Sequence, residues 1–568
     1  MSKSIKKRNI FQLTIAIFSI VIICFISEFA YWRFDLTSEK RYTLADITKQ
    51  KLKKLDDVVY LKIYLDGDLP IGLQRMQKAI KETLSEFRAY GKENIQYEFI
   101  NPSESTNPKE REAVFKDLFN KGIEPTNVQI SDKQGGNAQK LIFPGAIVSY
   151  KGKEIPLNLL HNNPGLSHDE NINLSIQNFE FELIDAIIKL STDKLPKLAF
   201  LLGHDELDQY ETGDIDKKLS EYYDVYRVEI NGDITALDPY NVVIIAGPQK
   251  KIPESDKIVI DQYIMKGGKV LWFIDPISVS IDSLSRGSTT LAFIRDLNID
   301  DQLFRYGVRL NPALIQDMQC AFIPVNTSLS GQEPKFEPAP WVYYPLLTSS
   351  ESNPITRNLN MIQTKFISPI DTVGGNKLIK KTVLLKTSSF TKVLRVPLLV
   401  NLSEISKTPT QREFNGFSIP VAILLEGTFE SVFKNRPIAK YNHEKPFSFI
   451  ETSPNSRMIV VSDADIIRND VRRRPDGSGA LISPLGYDRY SRQTFGNRDL
   501  VLNMVKYLDD DIGLMSLRSR DFKLRMLDKK KVRESRVTWQ LVNLLLPSGL
   551  LICGGLIWLR FRKKKYTR

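Results

Sequence analysis

The stretch WQLVNLLLPSGLLICGGLIWL, residues 539–559, decides how the chain is organised, because its 21 residues carry no charged side chain. At a rise of about 1.5 Å per residue, a helix of this length is about 31 Å long, enough to cross the apolar core of a bilayer. A membrane helix tolerates polar Gln540 and Asn543, and a kink at Pro547, when a neighbouring helix satisfies its backbone. We therefore predict a transmembrane helix that packs against another membrane protein.

A second apolar run covers residues 10–32 and follows a basic segment, Lys3–Arg8. The alternative is a cleaved signal peptide, but the run is longer than a usual signal core, and Ser27–Ala30 is not a small-residue cleavage site. Two spans predict a multi-pass protein with both termini in the cytoplasm and about 500 residues outside it. Basic residues flank the second span on both sides, so the first span must set the orientation.

Composition limits the function of the remaining chain. The formal net charge is +12 over 568 residues, but much of the excess flanks the predicted spans, where lipid headgroups explain it. A nucleic-acid partner is therefore not expected. Cys24 and Cys553 lie in the spans, so Cys320 is alone between them and no disulfide framework can form there. With four histidines in the chain, neither a metal site nor a cofactor is predicted.

The first exported domain, residues 33–195, has a β-α-β pattern of thioredoxin-like appearance. A strand over 58–65 precedes a helix whose apolar residues recur every three or four positions from Leu73 to Phe87, and Ile95 begins the next strand. Thr43 is predicted to cap a short helix, and Gly91 to end the long one. No Cys-x-x-Cys is present, which excludes dithiol chemistry in this domain.

The second exported domain, residues 196–512, has short and wholly apolar strands separated by helices, the pattern of a parallel sheet covered on both faces. The predicted strands are Leu198–Leu202, Val242–Ala246, Val270–Ile274 and Met458–Val461. Further strands between 382 and 425 extend the sheet or form an insertion. Ligands usually bind at the carboxyl edge of such a sheet.

Polar residues follow each of those strands and define a candidate ligand cleft. They are His204, Asp205, Glu206, Gly247, Asp275, Asp463 and Asp465. Asp and Ser directly after a strand more commonly cap a helix or form a turn, and paired carboxylates could also act in catalysis. Capping, noncatalytic binding and catalysis all stay open on these residues alone.

Familiar catalytic motifs are missing from the sequence. It contains no P-loop and no Gly-x-Ser-x-Gly elbow, and Cys320 is predicted to be buried and inert. Two long loops are predicted, Pro324–Pro345 with Trp341, and Arg468–Asn497 with three consecutive arginines from Arg472. Loops of that length in a compact domain are usually functional or disordered.

Several stretches carry a family resemblance. They are Asp35–Thr37 with Arg41–Leu44, Gly203–Glu206, Gly267–Pro276, and Val460–Asp465 with Gly496 and Asn497. With the two apolar ends, they resemble the GldG family of gliding-motility-associated, substrate-binding-like ABC transporter components of Bacteroidetes. The resemblance implies an inner-membrane protein with a periplasmic, Rossmann-like domain and a separate permease and ATPase as partners. Asp205 replaces a glycine of many relatives, which weakens the idea that this loop cradles a ligand.

The sequence thus predicts an α/β protein with two membrane helices flanking a thioredoxin-like and a Rossmann-like domain. Its segments are a basic tail 1–9, a span 10–32, domains 33–195 and 196–512, a basic linker 513–538, a span 539–559 and a basic tail 560–568. The predicted function is that of a noncatalytic accessory subunit of an ABC transporter. A membrane-anchored hydrolase or transferase using the acidic strand ends, and a structural envelope scaffold, are the alternatives.

Overall fold

The structure is a computed structural model. It describes residues 2–29, 43–131, 137–161, 163, 166–326, 328, 333, 335–350, 353–374, 378–406, 410, 412–437, 447–474, 479–519 and 533–566. The chain divides into two compact units, Met1–Leu36 with Tyr42–Arg520, and Thr37–Arg41 with Asp521–Arg568. The helices are Ser2–Phe29, Asp46–Leu52, Ile71–Gly91, Pro108–Asn120, His168–Ser191, Gly213–Leu219, Glu254–Met265, Ile281–Gly287, Asp300–Tyr306, Asn497–Asp509 and Arg536–Tyr566.

A four-stranded sheet lies in the first half of the larger unit. Its strands run in the order Ile95–Phe99, Val59–Ile63, Gly145–Tyr150 and Lys153–Asn158. The first two are parallel and joined by the helix Ile71–Gly91, so the strand, helix and strand predicted from this stretch are present. The apolar helix residues from Leu73 to Phe87 are buried against the sheet and the helix His168–Ser191.

A ten-stranded sheet dominates the rest of the larger unit. Its main path runs Cys320–Asn326, Phe336–Ser349, Ile379–Lys386, Pro420–Glu430, Thr452–Val461, Lys269–Phe273, Val242–Ala246, Lys197–Leu202 and Asp224–Glu229, with Ile362–Gln363 paired to the second of these. The last five strands of the path are mutually parallel, whereas Pro420–Glu430 and Ile379–Lys386 add antiparallel strands. The four apolar strands predicted from sequence lie next to one another.

The parallel strands are apolar throughout because both faces of the sheet are covered. Leu198, Val242 and Leu271 face one core, which includes the helix Asn497–Asp509. Ala199 and Val243 face a second core, which includes the helix Glu254–Met265. Alternate residues of one strand therefore enter opposite layers, as the two-residue period of a strand requires.

Six smaller sheets lie in the described part of the larger unit. They are Ile277–Ser278 with Thr289–Ile294 and Leu398–Asn401, Val308–Leu310 with Ile370–Thr372, Ala313–Asp317 with Thr391–Arg395, Val471–Arg473 with Ala480–Ile482, Tyr487–Asp488 with Gln493–Thr494, and Thr126–Ser131 with Asn137–Ile142. Both predicted long loops are therefore partly wrong. The first contains most of a strand hairpin, and the second contains two short hairpins.

One local prediction in the first half is wrong, and a second is right only in position, because the long helix ends at Gly91 but Gly91 is not the C′ residue that was predicted. Ala45, not Thr43, precedes the helix Asp46–Leu52, and its backbone N–H donates to Oε1 of Glu180 at 2.7 Å instead of to a neighbouring side chain. Gly91 remains helical with φ −86°, and Lys92 takes the positive φ of 54°. A carboxylate distant in sequence therefore binds the chain at the start of the short helix, and the positive φ after the long helix falls on Lys92.

The smaller unit is described by the helix Arg536–Tyr566, with Pro547 inside it. Residues Arg536–Lys564 are long and apolar enough to cross a membrane. In the N-terminal helix, some residues are described without their side chains. Among the others, the apolar stretch is Ile10–Ile22, which is shorter than the C-terminal one. Among the described residues, the structure thus places one helix of membrane-spanning length near the C-terminus. Residues 30–42 and most of the predicted linker lie outside the described residues.

Candidate functional site

The predicted cleft residues follow four parallel strands of the large sheet, so all of them lie at its carboxyl edge. His204, Asp205 and Glu206 follow Lys197–Leu202, and Gly247 follows the next strand in space. Asp275 follows Lys269–Phe273. Asp463 and Asp465 follow Thr452–Val461. The side chains nevertheless separate into two groups.

His204 forms a closed, buried network. Its Nδ1 lies 2.9 Å from Oε1 of Glu206, and its Nε2 lies 3.0 Å from Oδ2 of Asp256 in the helix Glu254–Met265. Burial alone would lower the pKa of His204, but the hydrogen bonds and charges of the two carboxylates outweigh burial and raise it to about 9. The imidazolium therefore donates both of its N–H groups within the protein. His204 thus has a structural role, because it joins Glu206 to Asp256 of the helix Glu254–Met265.

Asp205 and Gly247 have backbone roles beside this network. Asp205 takes a positive φ of 63° and is exposed, with its carboxylate 3.9 Å from Nζ of Lys250. Gly247 has φ 62°, and a Cβ there would lie 2.8 Å from the Cβ of Ala464. The chain leaving Val242–Ala246 therefore needs glycine to pass close to the segment after Thr452–Val461.

Asp275, Asp463 and Asp465 form the second group. Asp275 accepts a hydrogen bond from the backbone N–H of Ala464 at 2.7 Å, and Asp463 accepts from the N–H groups of Asp465 at 2.7 Å and Lys365 at 3.0 Å. Burial and the nearby Asp465 raise the pKa of Asp275 to about 6, and burial with both neighbouring carboxylates raises the pKa of Asp463 well above its usual value. Asp275 and Asp463 hold loops, which is the turn role the sequence left open.

Three cations that the sequence did not single out surround these carboxylates. Arg295 Nη1 lies 3.8 Å from Asp275, and Arg468 lies 3.5 Å from Asp465 and 3.3 Å from Glu211. Lys365 Nζ lies 3.5 Å from Oδ1 of Asp470. Burial opposes the charge of Arg468, but the field of Asp465 and Glu211 raises its pKa, so it stays cationic.

A cavity of about 790 Å³ opens beside this second group. That volume lies within the range of small-molecule sites, roughly 300–1,000 Å³. Its walls come from residues within 281–288, 322–326, 336–344, 363–365, 401–405, 465–470 and 484–490, together with Asn497. Both segments that the sequence treats as long loops therefore line the cavity.

Aromatic side chains form much of the cavity wall. Trp341 and Tyr344 are buried in the strand Phe336–Ser349, whereas Phe322 and Phe336 of the same hairpin are 46% and 62% exposed. The Trp341 indole packs on Tyr343 with ring centroids 5.0 Å apart, and its N–H meets no acceptor in the described part of the chain. Large exposed aromatic faces at a cavity are a common feature of binding surfaces.

Asp465 lines the cavity, and it is the one predicted cleft residue that does so among the residues described. His204, Glu206 and Gly247 lie at the same sheet edge but belong to the closed network and its backbone. The signal that pointed to the cavity in the sequence was the unusual length of the segments around Trp341 and Arg468, not the acidic strand ends.

In the part of the chain that the structure describes, neither a metal site nor a reactive thiol is formed. No cluster of three or more His, Cys, Asp and Glu side chains in the described residues is placed to hold a metal ion. Cys320 begins a strand, and burial raises the pKa of its thiol to about 11, so the thiolate is scarce at neutral pH.

These observations define an α/β protein that combines a ligand-sized cavity at a sheet edge with an apolar helix of membrane-spanning length. Residues 195–504, more than half of the chain, match the family model described as "ABC-type uncharacterized transport system". The chain belongs to this family of auxiliary ABC transport components. Residues 38–149 match a second model, a domain of unknown function (DUF7088).

One curated relative and two solved structures complete the comparison. An uncharacterized protein of Borreliella burgdorferi is 20% identical over 99% of both chains. The mmIFT52 N-terminal domain is 13% identical with a TM-score of 0.31, covering 55% of this chain and 96% of its own. The exo-beta-1,4-mannosidase Op5Man5 from Opitutaceae bacterium strain TAV5 is 9% identical with a TM-score of 0.19, covering 78% of this chain and 48% of its own. Neither structural likeness is close enough to support an argument.

Proposed function

We propose that this protein is a noncatalytic, substrate-binding-like accessory subunit of an ABC transporter complex. The observation that carries the proposal is the match of residues 195–504 to the auxiliary transport family. The sequence has no P-loop, so ATP hydrolysis by the usual phosphate-binding loop must come from a separate ATPase subunit. The helix within Arg536–Lys564 supplies a surface by which the chain can dock on a membrane permease.

The proposal includes two membrane spans, with the cytoplasmic membrane crossed at both ends of the chain and the bulk of it in the periplasm. The helix Arg536–Tyr566 supports the second span, and the apolar stretch Ile10–Ile22 supports the first. Small residues of the C-terminal helix, such as Gly554 and Gly555, allow another helix to approach closely.

Within the exported part, we assign residues 33–195 to a thioredoxin-like domain and residues 196–512 to a Rossmann-like domain. The first assignment is supported by a parallel strand pair joined by a helix and followed by an antiparallel hairpin. The second is supported by five adjacent parallel strands with helices on both faces. The ligand cleft is then the carboxyl edge of the large sheet, with Asp465 at the cavity.

Affinity purification tests the complex. The full chain, tagged at its C-terminus and extracted in mild detergent from its own host, is expected to elute with a permease and an ATPase. Elution of the folded chain without either subunit contradicts the proposal. The resemblance to the GldG family extends the proposal to gliding motility. If the host glides, a strain lacking the chain should lose surface spreading, and unchanged spreading would reject that part alone.

A further inference from the structure

Among the described residues, the charged side chains that line the cavity balance one another. Three cationic side chains, Lys365, Arg468 and Arg489, stand against three anionic ones, Asp465, Asp470 and Asp488. Lys365 pairs with Asp470, and Arg468 pairs with Asp465. An ionic ligand would compete with an existing partner at either of these pairs, and the lining carries no excess charge that would favour an anion or a cation. The cavity is therefore suited to an uncharged ligand.

Neutral hydrogen-bonding groups nevertheless remain open on the same walls. The side-chain oxygen of Asn326 accepts from Ser328, and that of Asn401 accepts from the N–H of Ser403 at 2.9 Å. Neither side-chain NH₂ group donates to a residue that the structure describes, and both asparagines line the cavity. Carboxamide NH₂ groups and carboxylate oxygens together can bond a ligand that carries several hydroxyls.

Aromatic faces complete the chemistry of the site. Phe322 and Phe336 lie on paired strands, line the cavity and keep about half or more of their surface in solvent, 46% and 62%. The C–H groups of a pyranose ring carry a slight positive charge and pack on the negative face of an aromatic ring, while the hydroxyls around the ring bond polar groups. A lipid tail would instead leave the amides and carboxylates of the wall unpaired.

We infer that the cavity binds an uncharged, polyhydroxylated ligand, a neutral oligosaccharide, between the aromatic hairpin and the polar groups around Asn401 and Asp465. The inference rests on the proposed function in treating this cavity as the substrate site of the accessory subunit. It names the ligand class that the proposed function leaves open.

Binding is tested on the full chain in lipid nanodiscs, by titration calorimetry with defined probes. The neutral probes are maltotriose, cellotriose, mannotriose and N-acetylchitotriose. Trigalacturonate and chitotriose without acetyl groups are the anionic and cationic counterparts of similar size, and a short-chain alcohol is the apolar one. At least one neutral trisaccharide should bind saturably, and the charged counterparts should bind at least tenfold more weakly.

Two variants locate the site and a third controls for fold. Phe322→Ala and Asn401→Ala are each expected to weaken binding of the neutral probe at least tenfold. Phe417→Ala is the matched control, because Phe417 is 85% exposed and does not line the cavity, so its affinity should match that of the unaltered chain. Circular dichroism of each variant verifies that the fold is retained.

Three results would overturn the inference: no binding of any neutral probe to the folded chain, tighter binding of a charged or apolar probe, or unchanged affinity in Phe322→Ala and Asn401→Ala. Failure of the proposed function is distinguishable from these results. A chain that binds the neutral trisaccharide but purifies without permease and ATPase keeps the ligand class and loses the transporter role. A chain that purifies with both subunits but binds no probe keeps the transporter role and loses the ligand class.

Discussion

At the scale of single residues, His204 links the stability of the sheet edge to pH. Its pKa of about 9 lies above the usual value of 6.5, so its stabilising contribution is complete below about pH 6.5 and is lost as pH rises through 9. We expect the free-energy difference of unfolding between the unaltered chain and His204→Gln to shrink by on the order of 1–2 kcal/mol over that interval. Denaturant titrations at a series of pH values measure this difference, and a gap that stays constant with pH would contradict the assignment.

Gly247 tests the close approach of two strand exits. Gly247→Ala imposes a left-handed conformation on alanine and places its Cβ against Ala464 at 2.8 Å, so we expect a loss of about 2–4 kcal/mol in unfolding free energy. Gly232→Ala is the matched control, since Gly232 has φ 75° and open space around it. The control should lose only about 1 kcal/mol, mainly from the backbone. Equal losses in the two variants would show that the contact with Ala464 is unimportant.

At the scale of elements, a partly buried ion pair, whose side chains are 11% and 15% exposed, joins the helices His168–Ser191 and Asn497–Asp509. Lys506 Nζ lies 2.9 and 2.8 Å from the two carboxylate oxygens of Asp185, and it also lies 3.7 Å from the ring centre of Tyr222. Burial lowers the pKa of Lys506, and the charge and hydrogen bonds of Asp185 oppose that shift. Two helices from different halves of the larger unit are thereby fixed to each other.

Removing either partner of this pair should destabilise the larger unit. We expect Asp185→Leu and Lys506→Met each to cost about 2 kcal/mol, because each leaves the other partner without its counterion in a partly buried position. The double variant should cost less than the sum by about 1–3 kcal/mol, which a double-mutant cycle of urea unfolding measures. Additive losses would mean that the two side chains do not act as a pair.

The strands of the core could be predicted from the sequence, whereas the cavity wall could not. Runs such as Val242–Ala246 are apolar because both faces of the sheet are covered. A short run of apolar residues in the sequence is therefore enough to predict such a strand. The hairpin that carries Phe322 and Trp341 contains Pro324, Pro338 and Pro340, which argue against a strand. These prolines are tolerated because the hairpin lies at the end of the sheet, where fewer backbone N–H groups need a partner. Nothing local in the sequence reports that position.

The candidate site was predicted in part for the same reason. Parallel strands place their exits at one edge, so the sequence located the edge and Asp465 on it. Whether an acidic side chain turns inward to hold a loop, as Asp463 does, or lines a cavity depends on contacts with residues about a hundred positions away, such as Lys365. The local sequence pattern does not predict those contacts.

At the scale of the whole molecule, the larger unit has its own cores and the C-terminal helix belongs to a separate compact unit. A chain ending at residue 519 should therefore keep its thermal midpoint within about 2 °C, since no core contact within the larger unit is removed. If the first helix spans the membrane, the shortened chain stays in the membrane fraction. If the C-terminal helix docks on the permease, the shortened chain purifies without it.

The control for this truncation keeps the span and changes only its packing surface. Gly554→Leu with Gly555→Leu retains an apolar helix of the same length but blocks close helix approach, so it should reduce permease recovery about as strongly as truncation does. Fractionation and co-purification measure the two effects separately. Release of the shortened chain into the soluble fraction would reject the first span, and normal permease recovery with either altered chain would reject docking through the C-terminal helix. The two halves of the topology therefore fail independently, because anchoring depends on apolar length whereas docking depends on the shape of one helix face.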